Sequence, residues 1–271
     1  MPQYKTTALV RRKRFRMYLR MILSVIFVAA IVFGTHLGSN AASVQIETVN
    51  ISGNKYLTSD FVRNIFDELT SDKLFYLIGQ KNIVFLPREQ LAKRLEQELP
   101  VDRAYVRMRG LREVSIEIVE HEPWGIWCKA GAAVAGSGNN DCYLVNKDGL
   151  LFVGAPGFII ENLIKLESKI EGEVLGAYYV EKNVFNRLVL IEKLLHQINI
   201  SIAEIKTDDL ETFILKTKNG PNLLVDDNDD PLEVANNLKT TLEQESIHKI
   251  QFSNLEYVDL RFAGKAYYKI K

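Results

Sequence analysis

Apolar positions fall along this chain in three distinguishable patterns. The first is one uncharged run without periodicity, Met21–Gly38, reading MILSVIFVAAIVFGTHLG. Such a run just crosses a hydrocarbon core of about 30 Å if Tyr18 and Arg20 snorkel at one end. The second is alternation. VQIETVNIS over residues 44–52, and then Ala104–Arg109 and Glu113–Glu120 joined at Gly110-Leu111, predict half-buried strands. The third is helical spacing. Phe61, Val62, Ile65, Phe66 and Leu69 recur behind a Thr58-Ser59-Asp60 cap, after a turn at Gly53-Asn54. Beyond an apolar, turn-broken segment (LFYLIGQKNIVFL), Leu91 and Leu95 mark the buried face of a second helix, Arg88–Leu99, with Pro87 at its start and Pro100 at its end.

Strand, helix, helix, strand, strand is the order of a compact α+β module with helices on one face of a small sheet. Further along, Cys128 ends one strand and Cys142 begins the next. Leu255–Phe262 and Lys265–Lys269 read as two more strands linked by Ala263-Gly264.

Charge changes this picture by giving it a direction. The chain has 34 basic and 34 acidic residues, but Lys5, Arg11, Arg12, Lys13, Arg14, Arg16 and Arg20 all precede the apolar run with no acidic residue among them. The positive-inside rule then predicts a cytoplasmic tail over 1–20, a span over 21–38 and everything later outside. The rival reading is a cleaved signal peptide, for which Ser39-Asn40-Ala41 offers small residues. Retention is favoured because the run exceeds an h-region of roughly 7–15 residues. The basic cluster reads as a topology determinant touching anionic lipid, not as a nucleic-acid arm. Without the tail, 27 basic residues face 34 acidic ones, so the outer part is mildly acidic. Its length of about 230 residues suits two domains.

The ordered segments VNISGNKYLTSDFVRNIF, LPVDRAYVRM and VSIEIVEHEPWGIW resemble a POTRA domain, specifically that of the bacterial cell-division proteins FtsQ and DivIB. The second half resembles the same family. CYLVNKDGLLF matches its strand–turn–strand element with Asp148-Gly149 at the turn, and KNVFNRLVLIEKLL its mid-domain helix. FILKTKNGPNLLVD matches a hairpin, and EYVDLRFAGKAYYKIK the terminal strand pair. The chain departs from the family in having Arg109-Gly110-Leu111 where a proline is common, and in the long insert Lys129–Asp141. The resemblance implies a POTRA domain over 44–121 and a β-rich domain over 122–271, of mostly antiparallel strands with flanking helices.

The sequence holds no HExxH, GxSxG or Walker loop. His36, His121, His196 and His248 are dispersed, and His121 between Glu120 and Glu122 reads as part of a solvated charge cluster. Gly136-Ser137-Gly138 reads as a loop, because strand and not helix follows it. The acidic run Asp226–Asp230 fails the EF-hand pattern, with Pro231 where glycine is needed and Asn237 where glutamate is needed. It reads instead as a polar turn in which Asp230 caps a helix beginning at Pro231. If the strands around Cys128 and Cys142 pair as a hairpin, the two sulfurs meet where disulfides persist. If those strands are out of register, they are two reduced thiols. No metal site or cofactor is expected.

A terminal strand can lie at a sheet edge and recruit a partner segment through its unpaired backbone groups. In the family resembled, this region docks FtsB/DivIC-like and FtsL-like single-span proteins. The resemblance therefore places the role on Tyr257–Lys269, and within it on Tyr257, Asp259, Arg261, Phe262, Gly264, Tyr267 and Tyr268. The alternative for these aromatics is simple packing on the sheet, and for Lys265 and Lys269 edge protection. The expected protein is a single-pass, type II, non-enzymatic division scaffold at the septum, without nucleic-acid or small-molecule ligands. The alternatives are a POTRA-bearing export or outer-membrane assembly factor, disfavoured by the lack of a long alternating barrel segment, and an exported hydrolase on an unfamiliar scaffold.

Overall fold

The computed structural model describes residues 7–39, 45–71, 73–74, 78–79, 81–110, 112–129, 142–155, 163–207, 211–243 and 251–271. Asn40-Ala41, the Gly136-Ser137-Gly138 loop and His248 lie outside them. The chain forms two compact units, one up to Glu120 and one from His121 onward.

Helix α1 (Thr7–Ser39) is continuous over 33 residues. Its stretch Arg14–Gly34 is long and apolar enough to cross a membrane, and every side chain along it is exposed. The helix begins inside the basic tail and not at Met21. Residues 8–20 contain no glycine or proline, and Arg, Lys, Leu and Met are good helix formers. At 1.5 Å per residue the helix is about 50 Å long, well beyond the hydrocarbon thickness.

The rest of the first unit is α+β. Its elements are β1 (Thr48–Ser52), α2 (Ser59–Ser71), a short hairpin β2 (Lys73–Leu74) and β3 (Ile78–Gly79), α3 (Arg88–Leu95), β4 (Val101–Arg109) and β5 (Glu113–Glu120). The sheet order is β1-β5-β4, with β1 parallel and β4 antiparallel to β5. Val62, Ile65 and Phe66 of α2 and Leu91 and Leu95 of α3 pack on Ala104, Val114, Ile116 and Ile118. Helix α3 is shorter than its proline boundaries predict. The N–H groups of Glu98 and Val101 bond back to Leu95 and Glu98, reversing the chain, and the Glu96 carboxylate accepts the Ala104 N–H at 3.1 Å. This reversal lets β4 start early, at Val101.

One clip locks this unit. Gly53 has φ 85°, and a Cβ there would sit 2.0 Å from the Ile118 carbonyl oxygen, so only glycine permits the approach. The loop after it frees three backbone N–H groups, and the Glu120 carboxylate takes all three: Lys55 at 2.7 Å, Tyr56 at 2.8 Å and Leu57 at 2.9 Å. Glu120 is buried. The expected solvated cluster around His121 is thus not what forms, because unpaired buried N–H groups need an acceptor more than the carboxylate needs water. His121 also leaves that cluster. Its ring meets Phe152 edge-on at 5.5 Å, and its Nδ1 lies 3.2 Å from Asn146 Nδ2.

The second unit is built on a nine-stranded sheet. Its strands are β6 (Gly125–Cys128), β7 (Cys142–Val145), β8 (Leu151–Gly154), β9 (Ile164–Glu167), β10 (Ile202–Lys206), β11 (Thr212–Thr217), β12 (Asn222–Asp226), β13 (Leu255–Phe262) and β14 (Lys265–Ile270). The order is β14-β13-β12-β11-β10-β9-β6-β7-β8. Neighbours are mostly antiparallel; the parallel joints are β12/β13, β9/β10 and β6/β9. Two of them are bridged by helices, α4 (Lys182–Gln197) between β9 and β10 and α5 (Pro231–Glu243) between β12 and β13. Phe185, Leu188 and Ile191 of α4 and Val234 and Leu238 of α5 share a core with Trp127, Leu166, Ile205, Phe213, Leu223 and Val258. At the Asp148-Gly149 turn Gly149 has φ 87°, and a Cβ would meet the Phe185 ring at 2.8 Å. Asp230 does cap α5: its Oδ1 accepts the N–H groups of Leu232 at 2.8 Å and Glu233 at 3.1 Å.

The face of β9, β10 and β11 away from the helices carries an ion-pair ladder, since alternation turns Lys165, Glu167, Glu204 and Lys206 opposite to Leu166 and Ile205. Glu204 receives Lys216 at 2.7 Å and Lys165 at 3.2 Å. Burial by itself would raise its pKa, but hydrogen bonds from Lys216 and Lys165 outweigh that and hold the carboxyl down at about 2.

Two outcomes are expected. Glu120→Ala orphans three N–H groups and loses charge-assisted bonds, a cost of about 3 kcal/mol or more, readable by denaturant unfolding. For Glu204 the folded-state pKa is depressed from 4.5 to about 2. Its stabilisation is therefore full above the unfolded value and lost as pH falls through the folded one. The stability gap between the natural protein and Glu204→Gln is expected to hold at neutral pH, shrink below about pH 4.5 and close near about pH 2, as unfolding curves at stepped pH would show.

Candidate docking edge

Strand β14 is one edge of the nine-stranded sheet, and among the described residues it pairs only with β13. The register sets Tyr257 opposite Lys269, Val258 opposite Tyr268, Asp259 opposite Tyr267 and Phe262 opposite Lys265. Gly264 turns the hairpin with φ 68°, and a Cβ there would find nothing within 4 Å, so its part is backbone geometry and not contact. A register shift between Asp259 and Phe262 brings Phe262 against Tyr267, ring centroids 5.2 Å apart and nearly perpendicular.

The edge is unusually apolar for its exposure. Phe262 is 49% exposed, Tyr267 53%, Tyr268 37% and Ile270 48%. The strand runs one residue past the Lys269 boundary expected from the sequence and so takes in Ile270. The alternation of Tyr268 with Ile270 across Lys269 was the available signal. Lys269 pairs with Glu256 at 2.8 Å, which raises the lysine pKa. Beyond the strand, Lys271 bonds back to Asn254 and Ser253, holding β14 in register against the short 3-10 turn Phe252–Asn254.

Asp259 and Arg261 form a unit. Asp259 is only 8% exposed, and its carboxylate is gripped by the Arg261 Nε at 2.8 Å and Nη2 at 2.7 Å. That pairing lowers the Asp259 pKa and raises that of Arg261, to which Asp226 and Asp229 also contribute. Alternation turns Asp259 and Arg261 to the face opposite core Val258 and Leu260, where Asp259 is the covered, orienting group and Arg261 the member of the pair nearer to solvent. The acidic run lies in a turn, as its composition predicts. What composition does not reveal is that β12 and β13, being parallel neighbours, bring Asp226 and Asp229 into the field of Arg261. Burial raises the Asp229 pKa, and its Oδ2 accepts the Asp226 N–H at 2.6 Å. Among the described residues no three His, Cys, Asp or Glu side chains converge as metal ligands.

At the other end of the sheet, β6 and β7 pair antiparallel with Cys128 directly opposite Cys142. The two sulfurs are bonded, with Cα atoms 4.0 Å apart. The strands are thus in register, and the bridge closes the base of the hairpin carrying the insert.

Compared with known families, residues 44–121 match the POTRA domain of FtsQ type. No curated protein matches the chain. The match covers the first unit outside α1, and the docking edge lies beyond it, in the second unit.

The bridge generates a prediction of its own. The unreduced protein is expected to show no thiol reactive to alkylation after unfolding in denaturant. Replacing both cysteines by serine is expected to cost about 3 kcal/mol, from the loop-closure entropy of roughly 15 residues. Two alkylated thiols in the unreduced protein would refute the bridge.

Proposed function

Because the chain carries an FtsQ-type POTRA domain together with an N-terminal apolar helix, and so fits the FtsQ/DivIB family, we propose that it is a non-enzymatic, membrane-anchored scaffold of the division machinery. In this reading α1 crosses the cytoplasmic membrane once, with the basic tail inside and both folded units outside, concentrated at the septum. The scaffold docks FtsB/DivIC-like and FtsL-like single-span proteins and so organises septal peptidoglycan synthesis. Confining host and partners to one membrane raises their effective concentration without any added contact.

The observation that carries the docking step is the β14 edge. A free strand edge offers main-chain hydrogen bonds to an added strand, and the exposed Phe262, Tyr267, Tyr268 and Ile270 offer aromatic and apolar anchors beside it. Arg261, held by Asp259, adds an oriented cation at the hairpin end. Simple packing of the aromatics on the sheet is the weaker account, since half of the Phe262 and Tyr267 surface remains open to water. An export or assembly factor would also use a POTRA domain and could add a client strand at the same edge, so the identity of the recovered proteins separates the two readings.

The test is a pull-down of the detergent-solubilised full-length protein from its native membranes, with Phe262→Glu and Tyr267→Glu run beside it. Small single-span coiled-coil proteins should be recovered by the natural chain and lost by both variants. Recovery unaffected by the variants would move the site away from β14. Recovery of unfolded export clients or barrel proteins instead would overturn the scaffold reading.

A further inference from the structure

The first unit has one end that its own chain ties closely to α1. Gln45 follows Ser39, the last residue of α1, by six positions, a reach of about 20 Å at most. From there the chain enters the unit through a hub at residues 45–48. Gln45 bridges Asn82, and the Ile46 N–H bonds to the Lys81 carbonyl at 3.2 Å. The N–H groups of Glu47 and Thr48 bond to the Arg112 carbonyl at 2.9 and 3.2 Å. Strand β1 then runs away from this hub, with Thr48 opposite Glu113 and Ser52 opposite Glu117. The turn at 82–85 and the hairpin end of β4 and β5 therefore form the end of the unit nearest to α1. Strand β3 approaches α1 as well.

That end is apolar and basic where it meets solvent. Asn82 is buried, and its Oδ1 accepts the Val84 N–H at 2.8 Å and the Phe85 N–H at 3.3 Å, which pins the turn. Ile83 and Leu86 enter the core, while Val84 at the tip is left 68% exposed. Met108, across the hub on β4, is 41% exposed. Lys81, Arg109 and Arg112 stand around them. Lys81 pairs with Asp67, Arg112 pairs with Glu47, and the Glu113 carboxylate accepts Asn50. Arg109 has no ion-pair partner among the described residues. One exposed apolar side chain is ordinary on a protein surface. Two of them among cations, on the one end tethered to a helix of membrane-crossing length, have the composition of a bilayer contact.

We propose that this end of the first unit is a membrane-contact surface, which seats Val84 and Met108 in the headgroup layer beside α1 and sets Arg109 against lipid phosphates. The inference rests on the reading in which α1 crosses the membrane. The short connection after Ser39 favours the bilayer over a protein partner, because a reach of about 20 Å leaves little room for a folded domain between this end and the lipid. The unit then has two attachments, one through the helix and one through its own rim. Two attachments fix its tilt, where a single connection would let it swivel.

The experiment places the full chain in lipid nanodiscs containing phosphatidylglycerol. Because Cys128 and Cys142 are bonded to each other, one added cysteine takes a fluorescent label alone. The variants are Val84→Cys, Met108→Cys, Val28→Cys within α1, and Val119→Cys, which is 39% exposed at the far end of the same sheet. Labels at positions 84 and 108 are expected to lose about half or more of their emission to lipids spin-labelled near the headgroup, the depth at which interfacial apolar side chains lie. The label at position 119 should keep its emission, and the label at position 28 should be quenched by lipids spin-labelled at mid-chain. Adding Arg109→Glu should restore emission at position 84. Quenching at position 28 without quenching at 84 and 108 overturns this inference and leaves the membrane span standing. No quenching at position 28 overturns the span, and this inference with it. Equal quenching at 84 and 119, or no response to Arg109→Glu, also overturns it.

Discussion

A strand can hydrogen-bond on both sides, and an open sheet leaves its outermost strands half satisfied. That constraint runs through this protein, because among the described residues none of its sheets closes on itself. The interior strands are settled by their neighbours, so chemistry that faces outward collects at the margins. The large sheet buries one face under α4 and α5 and spends the other, across β9 to β11, on ion pairs around Glu204 and Glu167. Among the described residues the margins are β14 and β8 in the large sheet and β4 and β1 in the small one, and at β4 the Glu96 carboxylate already takes the Ala104 N–H. Strands β14 and β4 differ in character: one offers aromatic rings and a buttressed arginine, the other arginines over an apolar row.

Neither margin would hold its geometry without the fasteners behind it. Glu120 ends β5 by capturing the loop that leads into α2, and it can do so only because Gly53 lets the chain lie directly on Ile118. Tyr179 serves the second unit in a similar way: its buried hydroxyl lies 3.1 Å from the Glu167 carbonyl and 3.2 Å from that of Ile205, across the parallel joint of β9 and β10. Burial raises its pKa, so it stays a neutral donor. Parallel joints have no hairpin to align them, and a side-chain tie there fixes what local sequence cannot.

That difference between local and distant determinants explains what is legible in the sequence. Alternation and capping are local, so β5, the β13–β14 hairpin and the Asp230 cap of α5 follow from residue types alone. Cys128 and Cys142 stand between the two classes, because residue types leave open whether the strands are in register, and the register Cys128 opposite Cys142 comes from the sheet. What residue types conceal is mostly non-local. Glu120 looks solvated in the sequence because its partners lie about 65 positions earlier. Asp259 looks like a contact residue because its pairing with Arg261, two positions on, hides among many strand alternatives. The acidic run looks self-contained until parallel pairing of β12 with β13 sets it beside a cation. Helix α3 ends before Pro100 because the Glu98 N–H bonds back to Leu95 and begins the reversal into β4.

The unbroken length of α1 has a mechanical consequence. A helix without a hinge is a torsional rod, and each residue fixes the azimuth of the next at about 100°. Arg16 and Arg20, four positions apart, share one side of that rod, and the apolar stretch beyond them continues at the same phase. The azimuth at which the basic side chains stand therefore also sets which side of the apolar stretch lies beneath them, so the two segments present a single fixed face arrangement to whatever surrounds them.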